Sequence, residues 1–194
     1  DPTANLAAGI VYQAQISTAA TSADGIPLAS TFSWSFTTPT QLFANTLTPT
    51  TSASSATLVR ETGVRITMTE NAQARAIRFW KSPGETGTHT GRIWSQNGNQ
   101  LGSVTFSGET ASGWQTAQLA TPVTLSDNQT YTVSVNRNNV YPSTTGGLNS
   151  QVIAGPMRTV VGSNGVYGII SGSRPQLSSG NTNFFVDLIA AQTL

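Results

Sequence analysis

The sequence predicts an all-β protein: a jelly-roll-like antiparallel β-sandwich preceded by an N-terminal β-hairpin. Three observations predict it. Apolar and polar residues alternate with a period of two along most of the chain. Gly, Asn, Ser and Pro turn signals separate these runs. Helical periodicity is confined to one short stretch, residues 69–76 (TENAQARA), which runs straight into a strand pattern.

The elements follow in order. Ile10, Tyr12, Ala14 and Ile16 alternate with Val11, Gln13 and Gln15, and Phe32, Trp34 and Phe36 alternate with serines and Thr37. These runs predict the hairpin, with the turn signal Asp24-Gly25 between them. Residues 39–57 are rich in Thr, Ser and Pro and predict a linker or an irregular strand crossing between domains. Beyond them, Val64, Ile66 and Met68 alternate with Arg65 and Thr67, and Ile77 and Phe79 with Arg78 and Trp80. Residues 92–95 form a strand closed by the Asn97-Gly98 turn, with Ile93 and Trp94 on opposite faces. A run from Trp114 to Leu119, then Val123 and Leu125, precedes the alternation of Tyr131, Val133 and Val135. Phe185, Asp187 and Ile189 alternate with Phe184, Val186 and Leu188 in the last strand. The expected organisation is a hairpin in residues 1–38, a linker in 39–57 and a sandwich in 58–194.

Composition narrows the setting. Of 194 residues only 9% are charged, and the net charge is +1. Ser and Thr make up about a quarter of the chain, and Lys81 is the only lysine. A surface of Thr, Ser, Gln and Asn suits a secreted β-protein, so an extracellular or cell-surface location is expected. No basic stripe interleaves with aromatics and no apolar run has the length of a membrane span, so neither nucleic acid nor membrane insertion is expected. Cysteine is absent, which removes disulfides and thiolate chemistry. The Asp1-Pro2 start, without an initiator Met, is expected of a processed product or an excised piece.

Two resemblances add to this reading. Leu6-Ala7-Ala8-Gly9 leading to Tyr12, then Asp24-Gly25-Ile26-Pro27-Leu28 and Trp34-Ser35-Phe36-Thr37-Thr38, resemble the end of a bacterial immunoglobulin-like domain. The resemblance implies the last strand pair of an incomplete sandwich. Residues 58–190 resemble the bacterial extracellular domain-of-unknown-function family 4082. Glu61, Gly63-Val64-Arg65, Ile77-Arg78-Phe79-Trp80-Lys81, Gly87-Thr88-His89-Thr90-Gly91, Ile93-Trp94-Ser95, Gly113-Trp114-Gln115 and Phe185-Val186-Asp187 carry it. It implies an accessory module with a jelly-roll-like fold and no known ligand. One departure is the polar run Val135-Asn136-Arg137-Asn138-Asn139, where members of that family usually carry aromatics.

Candidate chemistry is sparse. His89 is the only histidine, and no carboxylate partner is evident for it, so a loop hydrogen bond is expected there. Glu85 and Glu109 would face each other as a glycosidase pair does only by accident of folding, and the Gly-x-Ser patterns sit in turns, so no catalysis is expected. Zinc would need more His or Cys ligands than the chain has. Glu61 and Asp187, near the first and last strands of the sandwich, are candidates for one structural calcium. The alternative is that each pairs with an arginine: Arg60, Arg65 or Arg78. Trp80, Trp94 and Trp114, read as lying on neighbouring strands, with Tyr141 in a loop, are candidates for stacking on sugar rings; the alternative is packing. Tyr12, Ile16, Phe32, Trp34 and Phe36 are candidates for assembly, because a two-stranded hairpin leaves an apolar face and open edges. The expected function is a non-catalytic structural or adhesive module that pairs with other copies of itself or with neighbouring domains. A carbohydrate-binding module that tethers a larger protein to polysaccharide is the alternative.

Overall fold

A computed structural model describes residues 4–193, which contain many antiparallel strands and no helix. Asp1 and Pro2, the expected processed start, lie outside the described residues. The chain begins with the ribbon β1 (Val11–Ile16) and β2 (Phe32–Thr37), followed by β3 (Thr40–Gln41) and β4 (Thr51–Ser55). The longest strands come next: β5 (Glu61–Met68), β6 (Ala72–Lys81), β7 (Thr90–Ser95), β8 (Gln100–Thr105), β9 (Gly113–Leu125) and β10 (Thr130–Asn136). Short strands complete the order: β11 (Val140–Ser143), β12 (Ile153–Ala154), β13 (Met157–Thr159), β14 (Gly165–Gly168) and β15 (Leu177–Ser178), and then the last long strand, β16 (Val186–Gln192).

Two antiparallel sheets form a β-sandwich. The larger runs β12-β13-β5-β10-β7-β8, and β13 and β14 share the free edge of β5, opposite residues 66–68 and 61–64 respectively. The smaller runs β3-β16-β6-β9. Val64, Ile66, Ile93, Val133 and Val135 of the first sheet meet Ile77, Phe79, Leu119, Val186 and Leu188 of the second in one buried core. This is the predicted alternation put to use: one parity enters the core and the other faces outward. Gly91 marks a close approach between the sheets, since a Cβ there would stand 2.8 Å from Ile77 Cγ2.

Residues 69–76, the one stretch with helical spacing, form no helix, in keeping with the all-β expectation. They hold a turn and the start of β6, where a bulge between Ala74 and Ala76 shifts the register. Ala72 and Ala74 face the core before the bulge, and Ile77 and Phe79 after it. The extra residue breaks the period of two and produces the false helical spacing. Residues 39–57 are no free linker either: β3 pairs with β16, β4 pairs with β11, and Leu42 and Phe43 are buried in the core.

The ribbon stands apart. Among the described residues, β1 and β2 pair only with each other. Tyr12, Ala14 and Ile16 lie opposite Phe36, Trp34 and Phe32, so the large apolar side chains share one face. Tyr12 stacks on Phe36, with ring centroids 6.0 Å apart, and Phe32 on Trp34 at 5.7 Å. Phe32 is 60% exposed and Trp34 44%, while Tyr12 is half-buried.

Candidate functional site

The only histidine lies in the loop before β7, as expected, but its partners are carboxylates, which the sequence did not reveal. His89 is fully buried between two glutamates. Its Nδ1 lies 2.9 Å from both oxygens of Glu109, and its Nε2 lies 3.0 Å from Glu85 Oε1. Lys81 Nζ closes the chain of charges on Glu109 at 2.9 Å. Glu85 also accepts the N–H groups of Asn138 (2.8 Å), Asn139 (3.2 Å) and Val140 (2.7 Å). Burial pushes the Glu85 carboxyl up, but His89, the Asn138 and Val140 N–H groups and the Arg137 charge together bring it below the ordinary glutamate value. Glu85 and Glu109 therefore do meet, but across an imidazole that both of them hold.

Arg137, in the polar run noted as a departure, is the largest fully buried side chain. It donates to Thr62 Oγ1 (2.8 Å), Trp80 O (3.1 Å) and Phe184 O (3.1 Å), and it lies 5.1 Å from the centre of the Phe79 ring. Burial lowers its guanidinium to about 10, against the pull of the Glu85, Glu61 and Glu109 charges. Sequence reasoning missed this network. Its signal was Glu85 one helical-turn spacing before a histidine bracketed by Gly87 and Gly91, with Asn136, Asn138 and Asn139 to receive the loop and a solitary arginine among them.

The structure does not bring Glu61 and Asp187 together. Val64 and Ile66 put the other parity of β5 in the core, and Val186 and Leu188 do the same in β16. Glu61 and Asp187 thus stand on the outer faces of different sheets. Each meets an arginine, the alternative weighed for them. Asp187 takes Arg78 at 2.6 Å and the N–H groups of Leu42 and Phe43. Glu61 takes Arg92 at 3.3 Å, Ser134 Oγ at 2.7 Å and the Gly172 N–H at 3.0 Å. Its partner is Arg92, not the expected Arg60 or Arg65. Burial pushes both carboxyls above their ordinary values, with the arginines and hydrogen bonds pulling against it.

The three sandwich tryptophans do not share a face. β7 belongs to the larger sheet, while β6 and β9 belong to the smaller one. Trp94 is only 6% exposed and donates through Nε1 to Ser134 Oγ at 2.9 Å, beside Glu61. Trp80 and Trp114 are register partners and pack edge to face, with centroids 5.8 Å apart. Phe185 packs on both, and Arg78 lies 4.3 Å over the Trp114 ring. The half-buried pair makes a self-packed cluster instead of a flat platform.

Tyr141 sits elsewhere. It lines a groove of about 530 Å³ with Tyr167, Phe184 and a fringe of Ser and Thr hydroxyls. Phe184 is the buried floor. The Tyr141 and Tyr167 rings incline to it by 61° and 59°, at centroid distances of 5.9 and 6.4 Å. The next residue, Phe185, has a φ of 56°, a region L side chains rarely adopt. Its N–H is held by Asn183 Oδ1 at 2.8 Å. That turn of the backbone sends one phenylalanine to the groove and its neighbour to the tryptophan cluster.

The model of a family described as a domain of unknown function (DUF4082) matches residues 46–186. No curated protein matches the chain.

Proposed function

The chain belongs to the DUF4082 family, and we propose that it is a non-catalytic structural or adhesive module of a bacterial cell-surface or secreted protein, joined to further copies of itself through the N-terminal ribbon. The observation that carries this reading is the bare apolar face of Ile16, Phe32, Trp34 and Phe36. An isolated two-stranded ribbon is marginal in water, and a contiguous apolar patch rimmed by polar residues marks an interaction surface. Among the described residues, neither outer edge of the ribbon pairs with another strand, which leaves both able to accept one. Residues 10–37 carry a single charge, Asp24, so identical ribbons meet without repulsion. Isologous pairing of two ribbons buries both faces at once. The non-catalytic part rests on Glu85, Glu109, Glu61 and Asp187, all of which are engaged by protein donors.

Light scattering across a dilution series tests the reading. The intact chain should show concentration-dependent dimers or larger species. The double variant Phe32→Ser, Trp34→Ser should be monomeric with an unchanged sandwich. A wild-type chain that stays monomeric at high concentration would sink self-assembly and leave a neighbouring domain as the ribbon's partner.

A further inference from the structure

We propose that the Tyr141–Tyr167–Phe184 groove is a binding site for a neutral oligosaccharide. It lies on a different surface from the ribbon and does not depend on assembly. The groove's volume of about 530 Å³ lies within the roughly 300–1,000 Å³ usual for ligand pockets. No Asp, Glu, Lys, Arg or His lines it, so nothing there selects an anion or a cation. What lines it is a set of three aromatic rings with Ser and Thr hydroxyls and the aliphatic Leu58 and Val59. Tyr141 and Tyr167 flank the buried Phe184 at close to 60°, so the half-buried tyrosine rings, propped from beneath by Phe184, are the aromatic surfaces open to a flat apolar ring face. Thr57, Ser143, Thr145 and Thr182 supply hydroxyls that both donate and accept. A pyranose has this same division, with apolar C–H faces and an equatorial belt of hydroxyls.

A second observation supports the assignment. Phe185 holds a left-handed backbone conformation that costs a non-glycine residue free energy. The immediate effect is to aim Phe184 into the trough. Strain of this kind persists where the surrounding structure enforces it and clusters at ligand sites.

Titration calorimetry of the full chain against neutral oligosaccharides of glucose, mannose, xylose, galactose and N-acetylglucosamine tests the proposal, with uronic-acid and sulfated oligosaccharides in parallel. At least one neutral series should bind. Tyr141→Ala and Tyr167→Ala should each weaken it by roughly tenfold or more, the usual loss of an aromatic anchor. Tyr141→Phe should retain most of the affinity. If Tyr141→Ala fails to fold by circular dichroism, Tyr141→Leu keeps the bulk without the flat face and should show the same loss. The Phe32→Ser, Trp34→Ser chain should bind as the wild type does. Any of three outcomes would overturn the site: no neutral oligosaccharide bound at millimolar concentration, binding of anionic glycans only, or unchanged affinity in the Tyr141→Ala, Tyr167→Ala double variant.

Discussion

Arg78 and Asp187 are both almost fully removed from water and 2.6 Å apart. Replacing Arg78 by Met leaves a buried carboxyl without its counter-charge, and the expected cost is roughly 3–5 kcal/mol in urea unfolding. Adding Asp187→Leu should restore part of it, because the orphaned charge is gone; a double variant less stable than the single one would refute this account. The carboxyls also divide in their response to pH. Glu85 sits below the ordinary glutamate value, so its contribution is present above the unfolded value of 4.5 and is lost as pH falls through the lowered one. Glu61 sits above it, so its contribution is present below 4.5 and is lost as pH rises through the raised value. Unfolding free energies measured from about pH 3 to 7 should therefore lose part of their acid-side decline in Glu85→Gln. Glu61→Gln should instead remove a decline on the rising side. Identical pH slopes in the wild type and both variants would contradict the assignments.

Strands show a similar division between pattern and contact. The pairing of one parity into the core was legible at Val64, Ile66, Ile93, Val133 and Val135, because alternation reports facing directly. The Asn97-Gly98 turn was legible too, and Gly98 has the positive φ of 91° that such a turn demands. Which sheet a strand joins was not legible. Trp80, Trp94 and Trp114 are close in sequence pattern, yet β7 pairs with β10 and β8 while β6 pairs with β16 and β9. Alternation fixes parity within a strand and carries no information on its partner. The bulge in β6 and the His89 network were hidden for a related reason: both depend on a single residue out of period or on groups far apart in sequence. The close sheet-to-sheet contact at Gly91 gives the element-scale prediction. Gly91→Ala sets a methyl 2.8 Å from Ile77 and should cost roughly 1–3 kcal/mol by overpacking, with Ile77→Val recovering part of it. A neutral Gly91→Ala in thermal unfolding would mean that the two sheets give way more readily than a packed interior does.

At the scale of the molecule, the sandwich carries its own core, while the end of the ribbon at Gly9, Thr37 and Thr38 borders a crevice lined by Thr40, Glu70, Pro156 and Gln192. Removing residues 4–38 should leave the sandwich's cooperative transition in place, because no residue of the core belongs to the ribbon. A deletion that abolishes the transition would show that the ribbon completes the core. The groove and the tryptophan cluster, by contrast, are tied together by adjacent residues. Phe184 floors the first, Phe185 wedges into the second, and the left-handed turn between them leaves little freedom to move one without the other. The chain thereby contains an optical reporter placed outside its own groove. In a Trp34→Phe background, ligand filling the trough should change the emission of Trp80 and Trp114, although neither indole touches it.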